Sequence, residues 1–149
     1  MRFVIQRVNH ATCTINNKIT GEIEHGFCVF IGISASDNKQ IADKMIRKLI
    51  GMRIFADAEG ITNLALQDVN GSLLLISQFT LYADCKKGNR PSFINAGSPE
   101  LAIPIYEYII EECKKIIPNV QTGVFGADMK IALENDGPFT IVLDSKDLC

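Results

Sequence analysis

Apolar and polar residues alternate at the start of the chain: Phe3 and Ile5 point one way, Arg2, Val4 and Gln6 the other. A period of two predicts a half-buried strand, here over residues 2–8 and 12–15 with a bend near Asn9 and His10. Asn16-Asn17-Lys18 predicts a tight turn, because Asn tolerates positive φ, and residues 19–23 return as a second strand. After His25-Gly26, residues 27–33 are almost wholly apolar, as in a strand covered on both faces. The period then lengthens. Ile41, Met45, Leu49 and Met52 recur at helical spacing, behind Asp37 as the expected cap with Gln40 placed to reach back. Gly51 weakens or ends that helix, and residues 52–55 read alternatively as a strand.

Turns at residues 57–60 and at Asn70-Gly71 lead to a strand expected over 72–81. Ser98-Pro99-Glu100 is a helix start, with a cap, a proline at the first position and an acidic first turn. Its stripe is Ala102, Ile105, Ile109, Cys113 and Ile116, closed by Pro118. Pro104 removes a backbone donor, so the regular helix is expected to begin near it. Three more strands are predicted at 120–125, 129–133 and 139–143, the last two joined by Asn135-Asp136-Gly137-Pro138, a strong turn signal. Hairpins outnumber β-α-β alternations. The expected class is α+β: one domain over 1–149, a mixed, mostly antiparallel, barrel-like sheet with two main helices on one side.

Composition narrows the function. The 149 residues are 47% hydrophobic and 21% charged, the balance of an ordinary globular protein rather than a disordered chain or a coiled coil. The apolar runs are too short for a membrane helix, and the start lacks the apolar core of a signal peptide, so a cytoplasmic protein is expected. Five cysteines, Cys13, Cys28, Cys85, Cys113 and Cys149, form no Cys-x-x-Cys pair. With only His10 and His25 beside them they suggest reduced thiols, no metal and no cofactor. A net charge of −2 argues against an extended phosphate interface, leaving either no nucleic acid or a small local contact.

Familiar nucleotide, metalloprotease and serine-hydrolase motifs are absent. Neither histidine is marked as a base, and both are expected near the surface. Two stretches break local rules, which is where function tends to sit. Ser77-Gln78-Phe79-Thr80 puts three hydrogen-bonding side chains directly after an apolar run. Either they line the wet face of a plain strand or they face a cavity. Gly137-Pro138 is either a hairpin turn or a place where the main chain works directly, since proline cannot donate to a ladder and glycine permits close approach. The loop that follows Thr80 holds the densest basic cluster, Lys86, Lys87 and Arg90, suited to one phosphate nearby.

Together these stretches resemble the D-aminoacyl-tRNA deacylases. The likeness runs from Met1-Arg2-Phe3-Val4-Ile5-Gln6-Arg7-Val8 through Gly51-Met52-Arg53-Ile54-Phe55 and Ser77-Gln78-Phe79-Thr80-Leu81. It continues through Gly88-Asn89-Arg90-Pro91-Ser92-Phe93 and residues 121–129 to Asn135-Asp136-Gly137-Pro138-Phe139-Thr140. The resemblance implies a homodimer with its active site at the subunit interface and the 3′ end of an aminoacylated tRNA as substrate. It implies a cis Gly137-Pro138 peptide that enters the partner's pocket and screens the chirality of the amino acid. Ser77, Gln78, Phe79 and Thr80 would line the ester and the terminal adenosine, Arg7 would brace the Gly-Pro segment, and Phe125 and Met129 would bound the adenosine site. Backbone N–H groups of Phe79 and Thr80 are candidates to hold an oxyanion, with either the Thr80 hydroxyl or the tRNA ribose hydroxyl assisting. Lys86, Lys87 and Arg90 alone would give a shallow salt dependence. A non-catalytic RNA- or DNA-binding module is the rival from another class.

Overall fold

The computed structural model describes residues 1–148; Cys149 lies outside the described residues. The elements are β1 (Arg2–Ile15), β2 (Lys18–Ile23), β3 (Gly26–Gly32), α1 (Lys39–Gly51), β4 (Phe55–Ala56), β5 (Thr62–Leu64), β6 (Ser72–Ser77), α2 (Pro99–Lys114), β7 (Val120–Thr122) and β8 (Lys130–Asp144). Short 3-10 turns cover Phe79–Tyr82 and Ser145–Asp147. No helix among the described residues is long and apolar enough to cross a membrane.

β1 is the spine. Its first half pairs antiparallel with β3, its second half with β2, and β8 runs antiparallel along its other edge. β3 then pairs parallel with β6, and β6 parallel with β7. The sheet is mixed and nearly closed. A Cβ added at Gly21 of β2 would lie 2.8 Å from the Thr122 carbonyl of β7, so only glycine lets the two ends approach.

The central strands are apolar on both faces because both faces are covered. Leu73 and Leu75 of β6 join Phe27, Val29 and Ile31 of β3 under the helices, in a cluster that also takes Met45, Leu49, Ile105 and Ile109. Leu74 and Ile76 point the opposite way, into a second cluster with Val8, Cys13, Ile23 and Cys28. Period two sends neighbours to opposite sides, and each such buried side chain contributes about 1.5–3 kcal/mol. Both helices pack on the first cluster; the second fills the barrel-like interior.

Several expected boundaries shift. Asn38, not Asp37, caps α1, its Oδ1 accepting from Ile41 N at 2.9 Å. Asp37 is instead buried, receiving the Met1 α-ammonium at 2.7 Å on Oδ1 and the Ser34 N–H at 2.7 Å on Oδ2. α2 runs from Pro99 with Pro104 inside it. Pro104 and Glu100 are both exposed, so the carbonyl that proline leaves unpartnered faces water. The helix ends at Lys114, which shifts the phase: Ile116 is 44% exposed while Ile117 is buried. The strand expected over 72–81 stops at Ser77, that over 120–125 at Thr122, and that over 52–55 shrinks to β4 in a hairpin with β5. His10 is exposed as expected, whereas the His25 ring packs edge-on to Phe55 with centroids 4.9 Å apart.

The largest departure is β8. The two strands expected either side of a turn form one strand of 15 residues. Asn135–Pro138 is not a hairpin but a bulge: Gln6 pairs with Thr140 and Val8 with Asn135, so five steps on β8 oppose two on β1. Pairing with β1 resumes on both sides and overrides the local turn signal.

Candidate active site

At the end of β6 the backbone leaves the sheet. Gln78 N–H still donates to Ile31 O at 2.8 Å, and Leu81 and Ala83 N–H then close the 3-10 turn on the Gln78 and Thr80 carbonyls. This turn lifts Phe79 and Thr80 to the surface, Phe79 with 54% of its area exposed. From the other side comes the connection between β7 and β8. It turns sharply at Gly126, whose φ of +77° favours glycine, before Met129 enters the second cluster.

Between them lies a cleft of about 290 Å³, lined by Ser77, Gln78, Phe79, Phe125 and Met129 with Ile76 and Ile131 at its base. Residues more than 40 positions apart in sequence thus meet in one place. Gly123 lies close behind Met129: a Cβ there would meet the Met129 sulfur, which would have to shift. The wall is braced from behind by Tyr106, whose buried hydroxyl donates to Leu75 O at 2.7 Å and whose ring tilts against Phe125, centroids 6.1 Å apart. Burial raises the Tyr106 phenol pKa above its ordinary value, keeping it a neutral donor.

Thr80 offers no sign of an activated nucleophile. Its Oγ1 receives the Gln78 Nε2–H at 2.5 Å, an amide donor rather than a base. The buried thiols are equally unsuited: burial pushes Cys28, beside Cys13, and Cys113, near Glu112, up to about 12.

Gly137 and Pro138 do not line this cleft. They project from the bulge of β8, both exposed, joined by a cis peptide bond, with Gly137 at φ +129°. Arg7 grips the segment from below. Its Nε donates to Asp136 O at 3.1 Å and lies 3.2 Å from the Asp136 carboxylate. Its Nη1 donates to Ile54 O at 2.5 Å, and the guanidinium carbon sits 4.6 Å from the centre of the Phe139 ring. One cation therefore ties the main chain before the glycine, the ring after the proline and the end of the α1 connection together.

Lys86, Lys87 and Arg90 are exposed on an excursion closed at its base by paired Asp84 and Ser92 backbone bonds of 2.7 and 2.9 Å. They stand outside the cleft, but the loop touches it through Phe93, whose ring meets Phe79 edge-on at 5.0 Å. Phe93, Phe139, Tyr106 and the Ile54 carbonyl were not singled out by the sequence. Ile54, Phe93 and Phe139 do fall within the stretches that carry the family resemblance, whereas Tyr106 falls in none of them.

The model of the family described as D-Tyr-tRNA(Tyr) deacylase matches residues 4–144. Among curated relatives, a D-aminoacyl-tRNA deacylase of Clostridium kluyveri is 51% identical, and one of Flavobacterium psychrophilum is 47% identical. Each alignment spans 148 residues and 99% of both chains. Among solved structures, the c-Myc DNA Unwinding Element Binding Protein superposes with a TM-score of 0.91 at 35% identity, over 97% of this chain and 98% of that one. A probable eukaryotic D-amino acid tRNA deacylase shares the fold, with a TM-score of 0.81 at 17% identity over 95% of this chain and 97% of that one.

Proposed function

This chain belongs to the D-Tyr-tRNA(Tyr) deacylase family, a family of hydrolases acting on an ester bond, and from that premise we propose that it hydrolyses D-aminoacyl-tRNA to free D-amino acid and tRNA. The observation that carries the reading is the cleft joining Ser77, Gln78 and Phe79 to Phe125 and Met129, open, part apolar and sized for a nucleoside end rather than a macromolecule. Phe125 and Met129 bound the adenosine, and the ester lies against Ser77–Thr80. The first N–H groups of a 3-10 turn have no partner within it, so those of Phe79 and Thr80 hold the oxyanion. With Thr80 tied to an amide, the ribose hydroxyl of the tRNA assists the attack of water. Lys86, Lys87 and Arg90 meet a phosphate of the 3′ end.

In this reading the functional unit is a homodimer in the cytoplasm. The Gly137-Pro138 main chain, turned away from its own cleft and stiffened by Arg7, enters the cleft of the partner as a chiral gate. D and L residues exchange a hydrogen and a side chain at one carbon. Once amino group and ester are fixed, rigid carbonyls in the L direction reject every L side chain, whatever its chemistry. A D side chain points to solvent. Glycine has nothing to reject, so glycyl-tRNA is a secondary substrate. A non-catalytic nucleic-acid module is the second reading, favoured only by the name of the 35%-identical neighbour, the c-Myc DNA Unwinding Element Binding Protein. Incubation with D-tyrosyl-, L-tyrosyl- and glycyl-tRNA separates the two. Loss of the D and glycyl esters with the L ester intact is expected; survival of the D ester sinks the deacylase.

A further inference from the structure

A second group of cations lies away from the cleft, on the outer face of α1. Lys44, Arg47 and Lys48 are exposed at i, i+3 and i+4, so they share one face of the helix. They line an open cleft of about 530 Å³, with Asp147 as its sole carboxylate among the described residues. None of the three is in an ion pair among the described residues. The nearby acids are engaged elsewhere. Asp43 accepts from the Tyr108 hydroxyl, Asp37 is neutralised by the Met1 ammonium, and Asp144 by Arg2 at 2.8 Å.

This cleft is the far end of a furrow. It shares Lys44 and Leu148 with a second depression floored by the Met1–Asp37 pair. That one shares Tyr82 and Lys146 with a third, and the third shares Ala83 and Asn95 with a fourth, at Lys86. Tyr82 is the last residue of the 3-10 turn that begins at Phe79. A grooved path therefore starts at the basic loop, passes Tyr82 at the end of the site turn, crosses a mainly apolar stretch over the Met1–Asp37 pair and finishes on Lys44, Arg47 and Lys48, which are unpaired among the described residues. On a chain of net charge −2, such a path has one fitting occupant: a polyanion already anchored at the cleft.

We infer that the furrow from Lys86 to Lys44, Arg47 and Lys48 is a track for the phosphate backbone of the tRNA acceptor stem, a second contact beyond the 3′ end. The inference rests on the deacylase reading. Phosphate contacts position without reading sequence, which suits an enzyme that must accept many tRNAs. They also make binding depend on salt, at about 0.9 in the log–log slope for each duplex phosphate engaged. The shallow dependence implied by the basic loop alone therefore steepens on full-length tRNA.

The test compares full-length D-tyrosyl-tRNA with the D-tyrosyl ester of a CCA trinucleotide, which ends before the track. In the Lys44→Ala, Arg47→Ala, Lys48→Ala variant, the ratio of kcat/KM for full-length over short ester is expected to fall about tenfold, through KM. The salt slope on full-length tRNA is expected to flatten by roughly 2–3. The charge-keeping variant Lys44→Arg, Arg47→Lys, Lys48→Arg is expected to hold the wild-type ratio, which separates charge from helix damage. An unchanged ratio in the alanine variant, or equal losses in both variants, would overturn the track while leaving the deacylase standing. A wild-type protein that leaves both D esters intact would overturn the deacylase reading and the track with it.

Discussion

Two of the ion pairs along β1, one just before its start and one at its middle, differ in what the charge achieves. The Met1 ammonium and Asp37 are dry, with side-chain exposures of 0% and 1%, and Ser145 and the Ser34 N–H complete their hydrogen bonds. Arg7 and Asp136 are at 14% and 36%, and Arg7 divides its donors between two backbone carbonyls and a ring. The first pair joins β1 to the approach of α1 and to the 3-10 turn after β8, and it lies outside the cleft at Ser77–Phe79. The second holds an exposed piece of main chain in one shape. Burial makes the first a matter of stability; partial exposure makes the second a matter of geometry.

The widest separation should come from Asp37→Ala. Removing one partner of a buried pair strands the other, at about 3–5 kcal/mol, read as a lowered midpoint in urea with activity per folded molecule retained. A loss below about 1 kcal/mol would erase the distinction. Arg7→Ala should do the reverse. Stability should fall by only roughly 1–3 kcal/mol, while kcat/KM on D-tyrosyl-tRNA drops about 100-fold, the scale of an ångström misplacement at a reacting centre. Arg7→Lys should recover little of it, because an ammonium cannot serve two carbonyls and a ring at once.

Gly137→Ala should act more gently. Its Cβ would stand 3.0 Å from Phe139 N and 3.3 Å from Arg7 Nη2, at a φ of +129° that side chains resist. About a tenfold narrowing of the D-over-L preference is expected in parallel assays with both tyrosyl-tRNAs, from roughly 1–2 kcal/mol of displacement. Smallest of all is Thr80→Val, expected to keep single-turnover hydrolysis within about tenfold, since general assistance by one group seldom exceeds 10²–10⁴-fold and this hydroxyl has no base. Abolished turnover with tRNA binding intact would make Thr80 the nucleophile instead.

What the sequence disclosed of the fold follows from burial. β3 and β6 are covered on both faces and read as unbroken apolar runs; β1 alternates; the helices carry stripes. What stayed hidden depends on partners distant in the chain. Asp37 and Asn38 are equally good caps on paper, and only the arrival of Met1 decides between them. Ser77–Thr80 has strand-forming residues, yet the chain bends because the sheet ends at Ile31's carbonyl. Asn135–Pro138 has turn chemistry, yet β1 continues past it. For the candidate site, the motifs stood out as local oddities and through a family likeness. The Ile54 carbonyl did not, because a backbone acceptor leaves no mark in a sequence; nor did Phe139, because a phenylalanine at the head of an apolar strand looks like core.

The bulge of β8 also bears on what can lie beside the strand. Among the described residues β8 pairs with β1 alone, which leaves its other edge unpaired along 15 residues, a length that invites indiscriminate strand addition. The excursion at Asn135–Pro138 interrupts that edge once, off centre, where Pro138 has no N–H to give. A strand approaching from outside meets two unequal segments divided by a step it cannot cross, and sliding by two residues collides with the step. The interruption works as a keyway, leaving one alignment open and closing the rest.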